Sequence, residues 1–206
     1  GEEKGPAALD RALFALSKRL RGTDTASRIR AERLLTTAIE KNLQPPLGPF
    51  PAHQDVWTLS RDPEMRQRIV TTNFDTLFER AGPTEVASRA CADLPPPLGT
   101  DFTGVLHLHG RIADGDLGLS RTPLVLNSAE FGEAYLRSGW AARYVYDLAR
   151  ATTIVILGYG ADDPPMRYIL EVLTADRERY PDIREIFAFV PSAPDGPSRE
   201  RVAAIW

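Results

Sequence analysis

From residue 54 onward, short runs rich in β-branched residues alternate with stretches of helical periodicity, and this alternation restricts the chain more than any other feature. The runs "RIVTT", "GVLHLHGRI", "PLVLN", "TTIVILGYG" and "REIFAFVPS" are expected strands, with "TEVAS" a further short one. Between and after them, "DTLFERA", "SAEFGEAYLR", "GWAARYVYDLAR", "ADDPPMRYILEVLTADRER" and "SRERVAAIW" carry helical spacing, and "VWTLSRDPEMRQR" reads as one short helix ahead of them. Asn127 and Glu130 are spaced as a capping box for the helix they open. Strands that alternate with helices predict an α/β domain built on a parallel, doubly wound sheet. The near-continuous apolar run in "TTIVILGYG" predicts a strand buried on both faces.

The first 43 residues have a different character. Leu9, Leu13, Leu16 and Leu20 recur at helical spacing with charges between them, and a second helical stretch follows "GTD", where Asp24 or Thr25 would cap it. Prolines 45, 46, 49 and 51 then predict a rigid, irregular connector. The expected organisation is a helical segment and connector over residues 1–50 and the α/β domain over residues 51–206.

Composition limits the partners. The 206 residues carry 28 acidic and 25 basic side chains, a net charge of -3, so no basic footprint for nucleic acid or for an anionic membrane is present. No apolar run approaches the roughly 18 residues that a membrane span needs. The opening "GEEKGPAALD" is charged and small, unlike a signal peptide. Cys91 is the one cysteine of the sequence, which excludes an internal disulfide and any cysteine-rich zinc site. A lone cysteine fits a reducing compartment, and a cytoplasmic protein is expected.

Ligands of open α/β sheets bind beyond the carboxyl ends of the strands. Three strand ends here are chemically unusual. "TTNFD" places Thr72, Asn73 and Asp75 where a strand passes into a helix, and its plainest reading is a helix cap. "VLHLHG" ends on His109 and Gly110. Strict alternation would turn Val105, His107 and His109 to one face and Leu106 and Leu108 to the other, with His107 the structural member of the histidine pair. "VILGYGADDPP" offers Gly158 and Gly160 for close backbone approach, and Asp162 or Asp163 to cap the next helix.

In that order the three stretches resemble sirtuins. "TTNFDTLFERAG" is similar to their "T-Q-N-I-D-x-L", "LHLHG" to their catalytic histidine-glycine, and "TTIVILGYG" to the strand before their "G-T-S" turn. The divergent bacterial sirtuin-like domains, with "TTNYD", "HG" and "GYS" or "GYG" before Asp-Pro, are the nearer likeness. "TPLVLNSAEF" also looks like the segment that family carries between its histidine and its buried strand, and the likeness spans roughly residues 50 to 195. The resemblance implies a Rossmann-like domain that binds NAD, of a kind that in several bacteria destroys NAD as a defence against phage. It implies Asn73 and His109 as catalytic residues. Asn73 would hold the attacking water or a ribose hydroxyl, and His109 would take its proton. Thr72, Asp75, Gly158, Tyr159, Gly160 and Ser192 would bind NAD, with Asp75 on the carboxamide of nicotinamide, the 158–160 turn against the ribose and Ser192 on the adenosine side. Asn73 and His109 are expected to face a pocket rather than a packed core.

Two departures from the family shape the expectation. Deacetylating sirtuins hold zinc on four cysteines, so one cysteine disfavours deacetylation, and no bound zinc or other metal is expected. The family's first strand and its "G-A-G-x-S" phosphate loop have no counterpart before residue 68. Either the chain is cut behind that loop or the protein has lost it. Two functions remain: an NAD-cleaving enzyme, and a silent module that senses a nucleotide or mediates assembly with a second copy or an effector-system protein.

Overall fold

The computed structural model describes residues 6–20, 22–94, 102–159, 164–181 and 183–189. The chain divides into two compact units, residues 12–127 and residues 1–11 with 128–206. Among the described residues the strands of each unit pair in parallel, as the alternation of elements predicts, apart from two isolated antiparallel bridges, Arg61 with Gln67 and Asp114 with Leu119.

Helices α1 (Pro6–Leu20) and α2 (Thr25–Asn42) form the N-terminal segment. Asp24 is the cap of α2, its carboxylate accepting the Ser27 N–H at 2.9 Å. Helix α3 (Pro51–Leu59) starts inside the expected connector and stops well short of the expected helical stretch. Two prolines account for both ends. Pro51 occupies the first turn, where its missing N–H costs nothing. Pro63 restricts Asp62 before it, and the chain turns instead, with Asp62 accepting both the Arg66 backbone N–H and its Nε.

The first sheet lies in the unit of residues 12–127. Its strands are β1 (Arg68–Thr71), β2 (Ala87–Ala90) and β3 (Gly104–His107), in the order β1-β3-β2. Thr71 and Ala90 both pair with His107, so all three carboxyl ends finish level. Helix α4 (Leu77–Ala81) follows β1. Trp57 of α3, Ile69 of β1 and Val105 of β3 form a buried cluster, joined by Val56, Phe78, Ala81 and Val86. Trp57 also donates its Nε1–H to the Phe78 carbonyl at 2.8 Å, so the ring is satisfied as well as buried.

Strand β3 is shorter than expected. It ends at His107, where the Gly110 N–H turns back onto the His107 carbonyl, so strict alternation does not reach His109. The expected strand "PLVLN" is a loop. Thr122 and Val125 donate to the carbonyls of Arg111 and His109, but Pro123 between them has no N–H to continue a ladder.

The other unit contains α5 (Ser128–Gly132), a π-helical turn (Glu133–Arg137), α6 (Trp140–Ala151), β4 (Ile154–Leu157), α7 (Pro164–Arg179) and β5 (Ile186–Phe189). β4 and β5 pair in parallel. The expectation that β4 is buried on both faces is not met. Ile154 and Ile156 are half-buried while Val155 is 51% exposed, and β5 repeats the alternation with Phe187 and Phe189 exposed. Among the described residues this sheet has two strands, and one of its apolar faces stays open. No described helix is long and apolar enough to cross a membrane.

Candidate functional site

The passage from β1 to α4 is held almost atom by atom. The Asn73 N–H donates to the buried Thr71 Oγ1 at 3.1 Å, a hydroxyl-closed turn. The Thr71 carbonyl accepts Leu108 N–H and the Phe74 carbonyl accepts Ile112 N–H, each at 2.8 Å. The Asn73 carbonyl faces His107 Nδ1 at 3.0 Å. None of these bonds uses the Asn73 amide side chain, and Asn73 is exposed.

Asp75 performs the local task that the plainest reading assigned to it. Its Oδ1 accepts the Leu77 N–H at 3.1 Å, at the start of α4. Thr76, the residue at the cap position, turns its hydroxyl elsewhere, donating to Asp114 Oδ2 at 2.5 Å. Arg80 closes the group with a fork onto Asp114, both contacts at 2.7 Å, and reaches Asp116 at 2.9 Å. Burial works against the Asp114 charge, but Thr76 and Arg80 outweigh it and hold the carboxyl below its usual range. The start of α4 is thereby tied to the loop after β3. Thr76→Val keeps the shape and removes a buried bond to a charge, so it is expected to lower stability by about 2 kcal/mol in urea unfolding; an unchanged midpoint would show that the bond carries no stability.

A second buried group lies beneath the same turn. His107 is fully buried and places Nε2 2.7 Å from Glu79 Oε1. Ser88 donates its hydroxyl to that same oxygen, and Arg111 donates from Nη1 to the Ser88 hydroxyl. Arg111 is buried too, with Nη2 on the Ser120 carbonyl at 3.0 Å. Burial pushes the Glu79 carboxyl up, but His107 and Ser88 outweigh it and hold it below the ordinary range. These four residues come from α4, β2, β3 and the loop after β3. Sequence reasoning missed Glu79, Ser88 and Arg111. A glutamate in a short helix and an arginine after a strand look like solvated surface charges, and only the fold makes them neighbours.

His109 follows in the turn beyond β3. It is 5% exposed, and burial pushes its pKa down to about 4. The imidazole is therefore neutral at pH 7. His109 is thus far less exposed than Asn73.

Thr71 and His107 are register partners. Asn73 and His109 therefore each lie two residues past the level ends of adjacent parallel strands. Thr72 and Asp75 share that edge. Gly158 (φ +64°, with open space where a Cβ would stand) and Tyr159 follow β4 in the other unit. Gly160, Asp162, Asp163 and Ser192 lie outside the described residues. Among the described residues, no three histidine, cysteine or acidic side chains are grouped to hold a metal ion.

Parallel strands joined through helices, with polar turns gathered at their carboxyl edge, define a doubly wound α/β domain. The sequence matches the SIR2-like domain over residues 67–206, and the chain belongs to that NAD-related family. It is also 46% identical, over 222 residues, to the uncharacterized protein y4cA of Sinorhizobium fredii (strain NBRC 101917 / NGR234). That alignment covers 100% of this chain and 18% of y4cA, so the chain spans under a fifth of the length of this curated relative.

Proposed function

We propose that the domain binds NAD and hydrolyses its nicotinamide–ribose bond. The observation that supports this most is the pairing of an exposed asparagine with a neutral, buried histidine at equal offsets beyond two adjacent parallel strands. Breaking that bond passes through an oxocarbenium-like transition state. A neutral imidazole does not repel the cationic nicotinamide ring or the positive charge that develops on the ribose, as an imidazolium would. Asn73 holds the attacking water or the ribose hydroxyl, and His109 accepts the proton. Asp75, with one oxygen committed to the Leu77 N–H, presents its other oxygen to the carboxamide. Thr72 completes the proposed NAD contacts of this unit; Gly158, Tyr159, Gly160 and Ser192 are proposed to bind NAD on the family resemblance alone. A role in destroying NAD during phage attack, in a bacterial cytoplasm, rests on the family membership alone.

A second reading has its own support. A base with a pKa of about 4 takes a proton poorly at neutral pH, where a catalytic base works best when its pKa is near the working pH. That favours a module that holds a nucleotide without cleaving it, or that assembles with itself or a partner protein.

The test is chromatography for free nicotinamide, with the protein at its full native length and any partner encoded beside it. NAD that is bound and left intact under activating conditions would decide for the sensing module. The pH profile adds a sharper expectation. The active form is the neutral imidazole, so kcat/KM stays flat from pH 8 down to roughly pH 5 and falls below that as His109 takes a proton. An inflection at the ordinary histidine position near 6.5 would remove His109 from the role of base.

A further inference from the structure

The His107 ring has an oxygen acceptor at each nitrogen: the Asn73 carbonyl at 3.0 Å from Nδ1 and the Glu79 carboxylate at 2.7 Å from Nε2. Both are satisfied only by a ring with a proton on each nitrogen. Burial of the whole ring makes the arrangement expensive to leave half-made. The Glu79 carboxylate is itself braced by Ser88 on β2, which Arg111 holds from the other side. One end of this buried chain is therefore the main chain of Asn73, the residue whose side chain stands exposed at the strand edge.

We propose that His107 is a positioning residue for the Asn73 turn, clamping the Asn73 carbonyl through Nδ1 and thereby setting where the Asn73 amide is presented. The functional half of this inference rests on the NAD-cleaving reading; the structural half does not. His107 touches no reacting group, and its effect passes through one peptide unit. An asparagine side chain ends at the distance of Nδ1 from the main chain, and a glutamine side chain at that of Nε2. His107→Asn keeps a donor for the Asn73 carbonyl and abandons Glu79. His107→Gln keeps a donor for Glu79 and abandons the carbonyl.

The two substitutions separate positioning from stability. His107→Asn leaves the buried Glu79 carboxylate without its partner at this position, whereas His107→Gln keeps a donor there, so His107→Asn is expected to lower the melting temperature more. Hydrogen–deuterium exchange of the peptide covering residues 72–76, in the protein at its full native length, should run the other way. His107→Gln raises exchange there on the order of tenfold, while His107→Asn stays near wild type. Nicotinamide release should follow exchange rather than stability, with kcat falling on the order of tenfold or more in His107→Gln and KM changing little. Should His107→Asn fail to fold, His107→Asn combined with Glu79→Gln removes the unpaired charge and carries the same comparison. Wild-type exchange at 72–76 in His107→Gln, or equal exchange in both variants, overturns the proposal. An exchange difference in a protein that leaves NAD intact upholds the clamp and rejects the cleavage. Cleavage that tracks melting temperature rejects the clamp and leaves the cleavage standing.

Discussion

His109→Ala, in the full-length protein, is expected to abolish nicotinamide release, a loss of on the order of 10²–10⁴-fold in kcat, because that is what a positioned proton acceptor contributes. Asn73→Ala is expected to lose activity on a comparable scale, through misplacement of the attacking group. The two variants differ in their side effects. Asn73 is exposed, so its truncation leaves the fold alone. His109 is 5% exposed, and truncating it vacates buried volume and costs stability as well. His109→Gln, which fills more of that volume, separates the two effects. Loss of cleavage with a melting temperature close to wild type assigns the chemistry to the imidazole. Full cleavage in both alanine variants would show that the site is wrongly assigned even though the activity exists.

Gly110→Ala is expected to be severely damaging, costing at least about 3 kcal/mol in denaturant unfolding. Gly110 has φ +91°, which L side chains rarely adopt, and a Cβ built there lies 2.0 Å from the Pro123 carbonyl oxygen. That oxygen belongs to main chain, so relief requires the 122–125 loop to move. The loop is bonded on either side of the collision, through Thr122 N–H to the Arg111 carbonyl and Val125 N–H to the His109 carbonyl. Displacing it pulls on His109 directly. A Gly110→Ala protein with wild-type stability would mean that the turn after β3 is free to rearrange, and that the glycine of the "HG" pair serves no packing need.

The broad architecture was readable in the residues because it depends on local patterns. Period-two apolar runs, helical spacing and turn residues announced α/β structure with parallel strands, and three strand-end motifs announced the SIR2-like family. Asp24 was legible as a cap because capping is settled within three residues. Boundaries failed where a single backbone group decided them. The missing N–H of Pro123 kept "PLVLN" from continuing a ladder, and the turn from His107 to Gly110 cut β3 short.

What the sequence determined by itself is therefore the order of elements, the family and the identity of the polar residues at the strand ends. Tertiary structure alone decided their states. Charge and solvation depend on neighbours that are distant in the chain. Glu79 and His107 are 28 positions apart, and Thr76 and Asp114 are 38 apart, yet each pair shares a buried bond. No spacing rule announces such pairs. The sequence already separated His107 from His109 in "LHLHG", but only the register of β1 against β3 brings the first between a carboxylate and a carbonyl, and only the turn buries the second and keeps it neutral. Desolvation and partner geometry gave two like side chains different surroundings, and both are properties of packing.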